Sequence, residues 1–302
     1  MNAEQPIILL VLKDYNNEFF RKIDEGFRSG MPEDLKKNYR LDVRYGSSWT
    51  DLSYERRQLD QYFADYVSRQ KEPRLKAVVI TAGSSNDELT AEIKQLRDNH
   101  VVVVLADQRI NPEALKRANT DYDAFIGTRN MEGGVLAANE LVKHLPSGGT
   151  VLVLNGTTGV RAAIDRRLGF LNRLAELSKQ NGSHYKLIER TANFTRSEAQ
   201  STLDGLLSMG QQPEGIFAAN DEMALGALEA LRQKKSAHKT VVVGFDAIQE
   251  AVSAVKDGRL AATIAQDPVG IGKRSAITVE KLLNHEPIEK DQFLSPKMVN
   301  RD

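Results

Sequence analysis

GIFAANDEMALGALEAL (residues 215–231) runs from an apolar strand through Asn220 into a helix, and VVVGFDAIQEAVSAVKDGRLAATIAQDP (residues 241–268) repeats that plan twice. A third stretch, VVVVLADQRI (residues 101–110), begins the same way. In each, a β-branched or apolar run stops at an amide or a carboxylate: Asn220, Asp246 and Gln266, and Asp107. In an open parallel α/β sheet the ligand crevice lies at the carboxyl ends of the strands. Polar side chains at those ends, with no histidine, cysteine or serine nucleophile among them, describe a hydrogen-bonding cradle rather than a reaction centre.

Working outward, apolar runs alternate with amphipathic stretches along the whole chain, the pattern of parallel βαβ units. Strands are predicted at residues 7–12, 40–45, 76–80, 101–105, 124–126, 150–154, 186–190, 215–218, 240–244 and 261–265. Helical periodicity covers 18–28, 53–68, 87–98, 133–144, 164–178, 197–208, 222–232 and 248–257, with Ser197, Glu198 and Gln200 resembling a cap. That many strands exceed one ordinary doubly wound sheet, so two sheets of about five or six strands are expected. A length of 302 residues also favours two domains. The charged segment 31–76 reads as carrying a lengthened surface helix or, on the plainer reading, as a solvated face.

Composition excludes several classes. Lys+Arg and Asp+Glu are both 41, which leaves no electrostatic footprint for nucleic acid. Cysteine is absent, removing disulfides, thiolate catalysis and cysteine metal sites together. No run approaches the roughly 18 apolar residues of a membrane helix. The opening MNAEQP has no basic region and no apolar signal core, so the sequence reads either as a cytoplasmic protein or as a mature form whose signal lies outside it.

Searches for enzyme motifs return little. GTTGVR (residues 156–161) lacks the Gly-Lys-Ser/Thr ending of a phosphate loop, and GIGKRS (residues 270–275) lacks the earlier glycine, having Asp267 there. The histidines His100, His144, His184, His238 and His285 show no ligand spacing and read as surface or capping groups. Asp121 and Asp123 read as solvated turn residues. No Gly-x-Ser-x-Gly elbow exists. Neither catalytic residues nor metal or cofactor sites are expected.

Taken together and in order, FAANDEMALGAL and VVGFDAIQEAVSAVKDGRLAATIAQDP resemble the type I periplasmic binding proteins. The likeness is to the ribose- and galactose-binding branch, whose fold is shared with lactose-repressor effector domains. It covers the chain from Pro6 to about Leu294. It implies an α/β fold of two doubly wound parallel-sheet lobes, joined by a three-crossover hinge that closes on ligand. The lobes implied are residues 1–127 with 267–291, and 128–266 with 292–302.

The same likeness implies the binding residues. In KDYNNEFF (residues 13–20), Asn17 corresponds to a polar contact, and Phe19 and Phe20 to an aromatic clamp suited to the C–H faces of a sugar ring. A consecutive pair on one helix is not expected to face one core, which leaves at least one phenylalanine for ligand. Asp107 takes the place of the family's carboxylate; Gln108 stands where the family often has arginine, with Arg109 one place later. Asn130 matches a residue at the first crossover that either caps the following helix or touches ligand. Ile164 replaces the arginine that holds sugar in the ribose branch; Arg161 is a substitute for it and Arg166 matches a second family arginine. Phe194 in NFTRSEA supplies another aromatic. Asn220, Asp246 and Gln266 complete the set, and Asp221 is assigned to capping the helix that follows.

The function implied is capture of a monosaccharide or related polyol for delivery to an ABC transporter, by a periplasmic, monomeric, non-enzymatic protein. The partners implied are the sugar and a transporter permease or membrane sensor, not nucleic acid. The sensor domain of a histidine kinase or chemoreceptor shares the same binding physics and is the principal alternative. A lactose-repressor-type regulator is the lesser one, because Ile7 already opens the first strand.

Overall fold

The computed structural model describes residues 5–47, 51, 53–68, 74–82, 89–234 and 239–301. The chain divides into two compact units, Met1–Thr128 with Asp267–Leu294, and Arg129–Gln266 with Ser295–Asp302.

In the first unit the chain runs β1 (Ile7–Leu12), α1 (Glu18–Gly30), α2 (Glu33–Asn38), β2 (Arg40–Tyr45) and α3 (Tyr54–Phe63). A π-helical turn, Ala64–Ser68, extends α3 before β3 (Leu75–Ile80), α4 (Thr90–Asp98), β4 (Val102–Ala106), α5 (Pro112–Arg117) and β5 (Ala124–Thr128). The second unit follows as α6 (Asn130–His144), β6 (Gly148–Asn155), α7 (Arg161–Asn181), β7 (His184–Thr191), α8 (Arg196–Ser208) and β8 (Gly215–Ala218). It continues through α9 (Asp221–Gln233), β9 (Val241–Asp246), α10 (Gln249–Lys256) and β10 (Ala262–Ala265). The chain then returns to the first unit for α11 (Pro268–Leu283) and β11 (Asp291–Leu294), and ends in the second with β12 (Lys297–Val299). The boundary expected at 291/292 would cut through β11, which pairs along its length with β5.

Each unit holds one six-stranded sheet, ordered β2-β1-β3-β4-β5-β11 and β7-β6-β8-β9-β10-β12. All pairings are parallel except β12 against β10. Strands covered on both faces read as continuous apolar runs: IILLVL of β1 is buried at every position. One face of β1, Ile7, Leu9 and Val11, packs with Ile93, Leu96 and Phe125 in a core of the first unit, and Val153, Phe170, Phe217 and Phe245 belong to a core of the second.

Several expectations need correction. In the charged segment 31–76 the strand expected at 40–45 and the helix expected at 53–68 both form, but the segment is not simply a solvated face: Glu55 on α3 is fully buried against Lys13. The cap of α8 is Thr195, whose hydroxyl accepts from the Glu198 amide, not Ser197. Asp123 is not a solvated turn residue, since its carboxylate accepts from the Val103 amide at 2.8 Å and pairs with Arg97. The helix expected at 87–98 begins, within the described residues, at Thr90, and His238 lies outside them.

Helix α11 had no counterpart in the periodicity reading because glycines 270 and 272 lower its intrinsic propensity. Packing explains them: a Cβ on Gly272 would lie 2.1 Å from the Ile23 carbonyl oxygen, and one on Gly26 would lie 2.2 Å from that of Val269. The two glycines let α1 and α11 cross backbone to backbone. No helix among the described residues is long and apolar enough to cross a membrane.

Candidate functional site

In the second unit, four of the expected residues form one bonded cluster around Arg166, which is 3% exposed on the second turn of α7. Its Nε donates to Asn130 Oδ1 at 2.8 Å, and its Nη1 donates to the Ala219 carbonyl at 2.7 Å and to Asp246 Oδ1 at 3.3 Å. The guanidinium lies over the Phe245 ring, 3.9 Å from its centroid, a cation–π contact that fixes its plane. Gln266 Nε2 donates to the same Asp246 Oδ1 at 2.6 Å. Close packing of α6 on α7 brings Asn130 to Arg166: a Cβ on Gly134 would lie 2.2 Å from the Arg166 carbonyl oxygen. Asn130 does not cap α6, whose cap position is Arg129; its side-chain oxygen serves Arg166.

Asn220 and Phe194 form a second contact. Asn220, not Asp221, caps α9: its Oδ1 accepts from the Met223 amide at 3.0 Å, while its Nδ2 donates to the Phe194 carbonyl at 3.1 Å. Phe194 follows Asn193 in a left-handed turn, with φ of 61° and 48°, and its ring rests on Gly156, where a Cβ would come within 2.0 Å of it. Asp221 lies fully buried one residue into α9. Its Oδ1 accepts from the Thr263 hydroxyl at 2.7 Å and its Oδ2 from the Ile248 amide at 2.9 Å. Burial, and then the charge of Asp246, push the Asp221 carboxyl well above the usual carboxylate range. The sequence pointed to this residue only as a cap; the available signal was Thr263, one hydroxyl facing inward from an otherwise apolar strand.

Arg161 stands apart, half-exposed and paired with Asp165 at 2.7 Å, one helical turn along α7. Ile164, which replaces the family's arginine, is 38% exposed.

In the first unit, Asp107 adopts a left-handed φ of 66° just after β4, and Gln108 Nε2 donates to its Oδ2 at 3.0 Å. Asn17 caps α1 by accepting from the Phe19 amide at 2.9 Å. Phe19 and Phe20 are both buried, 4% and 2% exposed, and meet edge to face at 5.4 Å. Arg109 does not join Asp107. Its guanidinium lies against both the Phe125 and Phe293 rings, 4.6 and 4.5 Å from their centroids, and pairs with Asp291 at 3.3 Å.

Lys13, at the end of β1, was not singled out in the sequence. It is fully buried, with Nζ donating to the Asp51 carbonyl at 2.8 Å and pairing with Glu55 at 3.2 Å. Burial pushes the Glu55 carboxyl up, and the Lys13 charge pulls the other way.

The chemistry these side chains offer is reversible. An ionised Asp246 accepts hydroxyl hydrogens, while amides and a guanidinium donate and accept around it. No group of three or more His, Cys, Asp or Glu side chains able to hold a metal ion occurs among the described residues.

Comparison with known proteins agrees with this geometry. The ribose import binding protein RbsB of Salmonella typhimurium is 29% identical over 292 residues, 97% of this chain and 90% of that one. RbsB of Haemophilus influenzae is 37% identical over 166 residues, 55% of this chain and 54% of that protein. Among solved structures, a solute-binding protein of Actinobacillus succinogenes with bound D-allose superposes with a TM-score of 0.84 at 24% identity, covering 98% of both chains. One of Bacillus halodurans with bound myo-inositol gives 0.81 at 22% identity, covering 99% of this chain and 96% of the other. The periplasmic binding protein domain model matches residues 8–287. With two parallel-sheet units, a polar cluster at the strand ends and a match over nearly its whole length, the chain belongs to the periplasmic binding protein family.

Proposed function

We propose that this protein is the extracytoplasmic solute-binding component of an ABC importer and that its ligand is a neutral monosaccharide or related polyol. The observation that carries this reading is the buried cluster of Asp246, Arg166, Asn130 and Gln266 at the carboxyl ends of the second unit's strands. Its acceptors and donors suit adjacent hydroxyls, and nothing in it attacks or transfers a bond. Asn220 and Phe194 extend the polar and aromatic character of that end of the sheet. In the first unit, Asn17, Phe19, Phe20, Asp107 and Gln108 are the proposed contacts.

Relatives support the class of ligand. Besides the two ribose proteins, they include the D-ribose/D-allose-binding protein of Pseudomonas aeruginosa and the fructose import binding protein FruE of Bifidobacterium longum. Micromolar affinity corresponds to about −8 kcal/mol, within reach of a few charge-assisted hydrogen bonds and ring stacking.

A thermal-shift screen of pentoses, hexoses, furanose forms and inositols, followed by isothermal titration of the hits, tests the reading. Saturable binding of at least one neutral sugar or polyol, without added metal, is expected. Tight binding of an amino acid or a nucleotide, with every sugar silent, would overturn it.

A further inference from the structure

Asp246 stands on a backbone that side-chain-bearing residues rarely adopt: φ is 118° at Asp246 and 54° at Ala247. Two such residues in succession persist only where the surroundings over-determine them. Here the surroundings converge on one carboxylate. Asp221 Oδ2 accepts from the Ile248 amide at 2.9 Å. Its Oδ1 accepts from the Thr263 hydroxyl at 2.7 Å, and that same hydroxyl accepts from the Ala247 amide at 3.2 Å. The amides of 247 and 248 are thus both tied to Asp221, one through Thr263 and one directly. Gly244 makes the room, because a Cβ there would lie 2.2 Å from Asp221 Oδ1. Capping does not account for Asp221, since Asn220 already caps α9.

We propose that Asp221 is a positioning residue for ligand binding, holding the left-handed turn at 246–247 so that the Asp246 carboxylate meets Arg166, Gln266 and the ligand in one fixed orientation. Thr263 is the relay and Gly244 the clearance. The proposal rests on the reading of Asp246 as a sugar contact. It assigns recognition to a side chain that never touches the sugar.

The test is a double-mutant cycle in the full chain, titrated with D-ribose, D-allose and D-fructose and read on whichever binds the wild type most tightly. Asp221→Ala should weaken binding at least about tenfold, the weight of one hydrogen bond between a misaligned Asp246 and the ligand. In an Asp246→Ala background the same substitution should add almost nothing, because Asp221 acts through Asp246. Unchanged affinity in the single variant, or equal losses in both backgrounds, would overturn the proposal. Should Asp221→Ala fail to fold, Thr263→Val removes only the relay hydroxyl. It should show the same non-additivity at about threefold to tenfold, and additive losses would again overturn it.

Amide hydrogen exchange separates this proposal from the sugar reading. The Ala247 and Ile248 amides should exchange faster in the variant while those of β6 and β8 stay protected. If no sugar binds the wild type, the functional reading fails alone; if those two amides keep their protection in the variant, the positioning role fails whatever the ligand is.

Discussion

At the ends of β8, β9 and β10 charge is gathered to one point, whereas at the ends of β1 and β4 it is led away. Arg166 in the second unit bonds Asn130, the Ala219 carbonyl and Asp246. The corresponding cations of the first unit turn elsewhere: Lys13 to Glu55 and the Asp51 carbonyl, Arg109 to Asp291 and two phenyl rings. What remains near the first unit's strand ends is an amide, two phenylalanines and the Asp107–Gln108 pair. A charged residue at a strand end is therefore not by itself a ligand group. Its bonding partners decide whether it serves recognition or holds a loop.

The largest effect expected from breaking this contrast is that of Arg166→Ala. It leaves the Asp246 carboxylate buried without its cation and should cost about 3–5 kcal/mol of stability, measured by chemical denaturation. It should also abolish detectable sugar binding in titration. Arg109→Ala, partly exposed and lacking such a role, should lose far less stability and keep the affinity within severalfold.

Next is Asp246→Ala, with roughly 2–4 kcal/mol of affinity lost, since hydrogen bonds to a charged partner are the strong ones. A carboxylate standing unpaired in the empty site would make this substitution neutral or stabilising without ligand. Because Arg166 and Gln266 both bond Asp246, the melting temperature without sugar should instead fall. Affinity that survives the substitution would remove Asp246 from the site.

The first unit's buried pair is sharpened by pH. Burial raises the Glu55 carboxyl, so the folded chain keeps a proton that the unfolded chain releases near its ordinary pKa of about 4.3. By linkage this contribution to stability is greatest at low pH and declines as pH rises through the raised pKa. The stability of wild type minus Glu55→Gln should therefore shrink between about pH 4 and the raised value, as followed by denaturation at a series of pH values. A difference that grows over that window would mean Lys13 dominates the pair.

The smallest effect belongs to Arg161→Ala. Its partner Asp165 is one turn away on an exposed helix face, and such pairs contribute within about 0.5 kcal/mol. A tenfold loss of sugar affinity in this variant would return Arg161 to the site.

Much of the fold was legible. β1 and β8 begin and end where the apolar runs do, because strands buried on both faces carry no polar interruption. Short, partly exposed β11 and β12 lack that signature, and both exist through their pairing with β5 and β10. Helix α11 depends on its glycine contact with α1, which no local pattern encodes.

At the site, the strand-end pattern pointed to Asn220, Asp246 and Gln266, and the family resemblance pointed to Asn130 and Arg166, which lie on α6 and α7. Pattern alone could not apportion their partners. It gave Asp221 the cap that Asn220 takes and passed over Lys13. The amino-acid sequence by itself determined the alternation of strand and helix, the two sheets and the amide and carboxylate character of the strand ends, because periodicity and side-chain type are local properties. Only the tertiary structure decided that Arg166 faces Asp246 while Arg109 faces Asp291, because a hydrogen bond between residues 80 or 182 positions apart depends on where the packed elements place them.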